Sequence, residues 1–351
     1  MGPARPFLLA ALVIGACRPI DGGVVVRSDQ PASTPAGSVS QSAAPLSPAP
    51  SGFTPFVLQE YPVTSGQGPH DVAPARDGGV WYTAQRAGEL GWLDPKTGVS
   101  RAIKLGSGSA PHGVIVGPDG APWVTDGGLN AIVRVDPTTN EVKRYPLPAA
   151  RPNANLNTAV FDKDGRTLWF TGQSGVFGRL DTQSGAMSVF DAPRGSGPYG
   201  IASCPDGAIY YASLAGSYVG RIAKETGEVT VLSPPTAGQG SRRVWCDSKS
   251  RVWVSEWNAG QLARYDGTWR EWKLPGDRPM AYAVFVDDAD VVWLSEWGAN
   301  AIVRFDPVKE TFSVLGHPSP NANVRQLLGR HGEVWGAMSG QDKLVVARPA
   351  G

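Results

Sequence analysis

The sequence predicts an all-β fold, a seven-bladed β-propeller with four antiparallel strands per blade and a ring closed by the N-terminal strand. Three observations predict it. An aromatic anchor recurs at Trp81, Trp123, Trp169, Tyr210, Trp253, Trp293 and Trp335, a period of about 42 residues, which suits one four-stranded blade per copy. Turn pairs separate the short apolar runs: Asp77-Gly78, Asp119-Gly120, Asp164-Gly165 and Asp206-Gly207 are residues that hairpins favour. The seventh copy ends after its third strand, while residues 55–63, PFVLQEYPV, match a closing strand such as Tyr145-Pro146-Leu147-Pro148 before any first strand has begun. Placing that spare strand on the seventh blade removes an open sheet edge. No Gly-His or terminal Trp-Asp pair recurs, so the WD40 subtype does not fit. A membrane barrel would need an outward apolar band, which the Trp-anchored, turn-rich period does not provide.

In chain order, residues 1–17 read as a signal peptide. One Arg precedes the apolar run 7–14, then come Gly15, Ala16 and Cys17. The run is too short to span a bilayer. Ile14-Gly15-Ala16-Cys17 resembles a bacterial lipobox, so lipidation at Cys17 and an exported, periplasmic or cell-surface location are expected. Residues 18–52, rich in Pro, Ala, Ser and Gly, lack aromatic residues and read as a tether. The propeller is assigned to 53–349. Cys204 and Cys246 occupy nearly equivalent places in neighbouring copies, and the sequence does not decide between a bridge and two free thiols. Lys and Arg total 32 against 31 Asp and Glu, a net charge of +1 with no basic stripe. Nucleic acid is therefore not an expected partner, membrane contact is expected only through the lipid anchor, and a monomer is expected.

Within a copy, the first strand is innermost, as at 113–116 and 200–203. The second carries the Trp. The third is an alternating run such as 131–136, whose recurrent Arg (Arg134, Arg179, Arg221, Arg264, Arg304) reads as structural. The fourth closes the blade, as at 141–147. The innermost strands line the channel, so their first residues sit at one mouth. Counting outward from the hairpin turn pairs the residue eleven before the Trp with the residue three after it. This gives His70 with Ala84, His112 with Asp126, Tyr199 with Ser213, Arg242 with Glu256 and Tyr282 with Glu296. Blade three offers Asn157 or Thr158 opposite Gly172, and blade seven Arg325 opposite Met338 or Ser339.

Each pair has a functional and a structural reading. His112 and Asp126 are a base with its orienting carboxylate or a structural hydrogen bond; His70 is a further base candidate. Arg242 and Glu256 are ligand contacts or a cross-strand ion pair. Glu256 and Glu296, in matching VWVSEW and VWLSEW contexts, are candidates to share a divalent cation, Mg or Ca. Trp257 and Trp297 are stacking surfaces or blade-edge packing. The ligand-binding set is His70, His112, Tyr199, Arg242, Tyr282, Trp257, Trp297 and Arg325.

The segments Pro111-His112-Gly113, Pro198-Tyr199-Gly200, EVKRYPLP (141–148) and VWLSEWGANAIVRFDP (292–307) resemble the streptogramin B lyase (virginiamycin B lyase) family over essentially the whole folded part. The resemblance implies a seven-bladed propeller and, for the family's lyases, Mg-dependent elimination at an ester of a cyclic depsipeptide antibiotic with a His base. This chain departs from the family's last-blade motif. The base position falls on Arg325, the two carboxylate positions on Asn323 and Ser339, and the second mouth His on Met280 or Tyr282. An Arg cannot act as the base, and the replaced carboxylates remove the hard ligands that Mg favours. The expected role is binding of a small molecule, peptide or glycan at the mouth. The alternative is a metal-assisted lyase of the virginiamycin B type, or a related hydrolase using His112 with Asp126, or His70.

Overall fold

Each copy folds as an up-and-down sheet because its turns carry residues that tolerate left-handed backbone. Gly120 and Gly207 hold φ of 82° and 87° in two of the inner hairpins. In blades five and six, where no Asp-Gly pair exists, Ser250 and Asp290 take that conformation instead, both at φ 59°. The computed structural model describes residues 55–350 and contains 28 strands in seven four-stranded antiparallel sheets, the seven-bladed β-propeller predicted above. The signal peptide, Cys17 and the tether expected at 18–52 lie outside the described residues.

The strand Phe56–Pro62 pairs with Lys343–Pro349 and completes the sheet of blade seven. Its Tyr61 ring packs 5.5 Å from Trp335, and both join Val72, Tyr82 and Val346 in the seam between blades seven and one. Phe56 packs at 5.0 Å against Trp293 of blade six. The closing strand therefore holds two seams with two aromatic side chains.

The anchor Trp residues are the largest buried side chains, with Trp81, Trp169, Trp253, Trp293 and Trp335 all buried. The recurrent Arg of the third strand stands directly opposite the anchor in the ladder, as for Trp169 with Arg179 and Trp293 with Arg304. Its guanidinium covers the ring at 5.6 and 4.8 Å in those two blades. The acid of the turn takes the indole N–H: Trp253 Nε1 donates to Asp247 at 2.8 Å and Trp293 Nε1 to Asp287 at 2.7 Å. The repeated Asp, Trp and Arg thus pack as one structural unit in these blades.

Cys204 and Cys246 form a disulfide, Cα to Cα 5.2 Å, joining the innermost strands of blades four and five. This settles a pairing that the sequence left open. The half of the channel at this end is apolar, a cavity of about 240 Å³ walled by Val114, Val160, Val284, Trp245 and Leu328.

Two outcomes test this architecture. Deleting residues 56–62 should lower unfolding free energy by at least about 3–5 kcal/mol, the loss expected from removing one buried aromatic alone; a truncated chain that denatures with the parent would refute closure by this strand. The disulfide closes a sequence separation of 42 residues, so its reduction should cost about 4 kcal/mol in denaturant titration.

Candidate functional site

The mouth residues are placed by a β-bulge that the turn-counting rule does not anticipate. In six inner hairpins the ladder runs in the expected register from the turn, then shifts by one before the mouth. Pro111, not His112, stands opposite Asp126; Ser241, not Arg242, stands opposite Glu256; and Ala281, not Tyr282, stands opposite Glu296. Blade seven follows the same rule, with Val324 opposite Met338 and Arg325 in the bulge. The expected cross-strand pairs are therefore offset by one residue, because two residues of the inner strand face one of its neighbour.

In five blades a hydroxyl two residues after the anchor accepts the bulge amide. Thr83 Oγ1 accepts from the Asp71 amide at 2.9 Å and donates to the His112 carbonyl of the next blade at 2.8 Å. Thr125 accepts from Gly113 at 2.9 Å and donates to the Asn157 carbonyl at 2.5 Å. Ser255 accepts from Arg243 at 3.1 Å and donates to the Tyr282 carbonyl at 2.8 Å. Thr171 likewise bridges the Thr158 amide and the Tyr199 carbonyl. Each hydroxyl fixes the bulge of its own blade and the mouth residue of its neighbour.

Seven bulge residues thus ring the mouth: His70, His112, Asn157, Tyr199, Arg242, Tyr282 and Arg325. The Tyr199 and Tyr282 hydroxyls lie 2.7 Å apart. Arg242 donates to the Tyr199 hydroxyl at 2.9 Å and lies 3.7 Å over the Tyr282 ring. Trp297 stacks on Tyr282 at 4.8 Å, and Trp257 meets Trp297 edge-on at 5.3 Å. Arg325 donates to the Tyr282 hydroxyl at 3.3 Å and, through Nε, to Ser339 Oγ at 2.9 Å; Ser339 Oγ in turn donates to the Asn323 carbonyl at 3.0 Å. Both tyrosines and both histidines are buried, while Arg242, Arg325, Trp257 and Trp297 are half-buried and form the outer surface.

Beneath this layer lies one that sequence reasoning missed. Asp71 of blade one and Arg243 of blade five, 172 residues apart, pair across the channel at 3.2 and 3.3 Å, both with side chains 2% exposed. Arg243 also donates to Thr158 Oγ1, which donates to Asn157 Oδ1 at 2.7 Å. Asn157 Nδ2 lies 3.1 Å from His112 Nε2, and His70 Nδ1 lies 2.9 Å from Asp71. The signal was present: the residue after the mouth residue is Gly113, Thr158, Gly200, Ala283 or Gln326 in five copies, and charged only at Asp71 and Arg243.

Burial, with the charges of Arg325, Arg243 and Arg242, holds His70 well below the usual histidine range. Burial and the neighbouring His70, whose ring lies 3.8 Å away, do the same to His112, against the opposing pull of Asp71. Burial pushes the Tyr282 hydroxyl up, but Arg242, Arg325 and Arg243 together bring it below the usual phenol range. Burial and the Tyr282 charge push Tyr199 up, as follows when two adjacent hydroxyls cannot both ionise.

The remaining candidates lie in the loops beside the mouth. Asp126 accepts from the Ala110 and Leu129 amides at 2.9 Å each and from the Ser109 hydroxyl at 2.5 Å. It touches no part of His112 in these contacts. Glu296 accepts from the Met280 amide at 2.6 Å and the Gly298 amide at 2.7 Å, with Ala299 as a third donor. Glu256 is buried with both carboxylate oxygens unpartnered, and burial followed by the charge of Glu271 pushes it up to about 8. Among the described residues, the one group of three metal-type ligands is His70, Asp71 and His112, whose atoms lie within 4.8 Å of one another.

A family model described as the virginiamycin B lyase family matches residues 56–345. No curated protein sequence matches the chain. A solved streptogramin B lyase structure is similar at 24% identity and TM-score 0.77, covering 84% of this chain and 98% of that one. The virginiamycin B lyase of Staphylococcus aureus, solved as a catalytically inactive variant with quinupristin, is similar at 23% identity and TM-score 0.77, covering 84% and 99%. The extracellular domain of a hybrid two-component system from B. thetaiotaomicron is similar at 14% identity and TM-score 0.66, covering 84% of this chain and 43% of that one. At these identities the likenesses establish the fold.

The buried histidines set a pH dependence. A histidine depressed in the folded state is neutral there, so its contribution to stability is complete above the unfolded value near 6.5 and is lost as pH falls toward the folded value. Each should remove about 1.4 kcal/mol per pH unit over that window. Denaturant titrations between pH 7 and 5 should show a shallower loss in His70→Gln/His112→Gln than in the parent; parallel slopes would contradict neutral burial.

Proposed function

The chain belongs to the virginiamycin B lyase family, and we propose that within it this protein is an exported, lipid-anchored binding propeller without the family's lyase residues. Its ligand is a small molecule, peptide or glycan held at the channel mouth. The observation that carries this reading is the chain of contacts from Arg325 to Ser339 to Asn323, at the three positions that resemble the family's base and its two carboxylates. A guanidinium there cannot take a proton from a substrate. Its hydrogen bonds use the hydroxyl and carbonyl that would otherwise be the oxygen donors of that corner.

The competing reading, a metal-assisted lyase or hydrolase, has the His70, Asp71 and His112 cluster in its favour. Against it, the carboxylate of that cluster is already held by Arg243. Burial keeps both histidines neutral, and the guanidiniums around them oppose Mg²⁺ or Ca²⁺, which prefer several anionic oxygens. A cation shared by Glu256 and Glu296 fits no better, since Glu296 spends its oxygens on three amides.

Export is supported by two features: the lipobox-like segment ending at Cys17, and the Cys204–Cys246 disulfide, which suits an oxidising compartment. The near-neutral net charge of +1 fits a monomer tethered by lipid alone and gives no basis for nucleic-acid binding.

Incubation with quinupristin and Mg²⁺, followed by mass spectrometry, should leave the cyclic antibiotic intact. Accumulation of a linear product would overturn the loss of lyase chemistry. A ligand that binds the protein should quench Trp257 and Trp297; binding that leaves both unchanged and survives substitution of the mouth residues would refute the mouth as the binding face.

A further inference from the structure

Blades five, six and seven place Arg242, Tyr282 and Arg325 side by side at the mouth. The Arg242 guanidinium lies 3.7 Å from the Tyr282 ring centre, 4.5 Å from that of Tyr199 and 4.6 Å from that of Trp257. Arg325 lies 5.4 Å from Trp297. Their partners are tyrosine hydroxyls, the Ser339 hydroxyl and ring faces, and Arg242 Nε has no acceptor. Among the described residues neither guanidinium has a carboxylate partner. Asp71, the one acid of the channel's polar layers among the described residues, is taken by Arg243. Three guanidiniums therefore face one carboxylate, with both histidines neutral, so two half-buried guanidiniums stand at the mouth without a carboxylate counter-charge. Ring faces contribute about 0.5–2 kcal/mol per contact without neutralising a charge, and half-desolvated cations without a counter-ion are costly.

We infer that Arg242 and Arg325 form a binding site for an oxyanion, the carboxylate or phosphate group of a small ligand. This rests on the reading of the mouth as the ligand face and names the chemistry it selects. The planar forks of two guanidiniums on blades separated by one are suited to a planar or tetrahedral oxyanion. The Tyr282 hydroxyl, reached by Arg325 at 3.3 Å and in contact with the ring of Tyr199 through its 2.7 Å hydroxyl partner, lies where it can donate to the same group. Trp257 and Trp297 wall the approach and give the rest of the ligand an aromatic surface. Without ligand, the Tyr282 hydroxyl is the nearest group that can carry negative charge. A bound oxyanion takes over that role, so the phenolate fraction of Tyr282 falls on binding.

The test uses the full chain with inorganic phosphate, acetate and benzoate as probes and glucose as the neutral control, read by isothermal titration, tryptophan fluorescence and near-ultraviolet phenolate absorbance. At least one of the oxyanions should bind, more weakly as salt rises, with a fall in phenolate absorbance. Phosphate binding without carboxylate binding assigns a phosphorylated ligand, and the reverse a carboxylate. Arg242→Gln and Arg325→Gln should each weaken binding about tenfold, and the pair together should abolish it. If the double Gln variant does not fold, Arg242→Lys with Arg325→Lys keeps the charge, loses the fork and should bind several-fold more weakly. The inference is overturned if no oxyanion binds, or if the variants bind as the parent does. A neutral ligand that quenches Trp257 and Trp297 equally in parent and variants would overturn the oxyanion site while leaving the mouth as the binding face.

Discussion

The hydroxyl two residues after the anchor tryptophan is the constraint on which the mouth depends. A β-bulge leaves an amide of the inner strand without a partner in its own ladder, and a buried unpaired amide costs about 1–3 kcal/mol. Thr83, Thr125, Thr171 and Ser255 accept that amide and pass their own proton to the carbonyl of the next blade's mouth residue. One small side chain therefore stabilises the bulge, ties adjacent blades and sets the height at which the mouth side chain leaves the backbone. The bulge also redirects that side chain, separating it from the residue that simple alternation would place opposite.

This explains why the acids after the hydroxyl do so little at the mouth. Asp126 and Glu296, freed from cross-strand pairing with His112 and Tyr282, accept amides from the loops that leave their blades. Loop-capping carboxylates of this kind hold the rim and leave the channel short of negative charge. The channel's cations then rely on Asp71, on hydroxyls and on aromatic faces. An ion pair such as Asp71 with Arg243, buried on both sides, gains little net stability over an apolar pair. Removing one partner is the expensive change, because the other is left charged and dry.

The fold was legible because its signals are local and repeated. The Trp period, the Asp-Gly turns and the unmatched strand at 55–63 each report on neighbours close in sequence or on a count. Six of the seven mouth positions were legible for the same reason, since distance from the turn identifies them; in blade three it left Asn157 and Thr158 as alternatives. Their partners were not. The bulge depends on a hydroxyl meeting a carbonyl of another blade, and no spacing within one copy encodes that contact. His112 and Asp126 were therefore paired by a rule that holds from the turn as far as Gly113 and Thr125 and fails one residue later. Asp71 and Arg243 were invisible for a related reason: they meet across the axis from blades one and five, and only their charge at that position marks them.

The two irregularities of the ring coincide. Blades four and seven carry Ala212 and Ala337 where the others have Thr or Ser, so the mouth residues of blades five and one, Arg242 and His70, receive no side-chain clamp from that position of the preceding blade. These are the same blades whose next residues are Arg243 and Asp71, the pair that spans the channel. Where the inter-blade hydroxyl is missing, a trans-channel ion pair supplies the restraint from the opposite side, and it draws His70 and Thr158 into one network. The repeat keeps seven blades equivalent in their anchors. The mouth becomes a specific surface at the two places where that equivalence is given up, and Arg242 and Arg325 are left without a carboxylate because Asp71, the one channel carboxylate among the described residues, is held by Arg243.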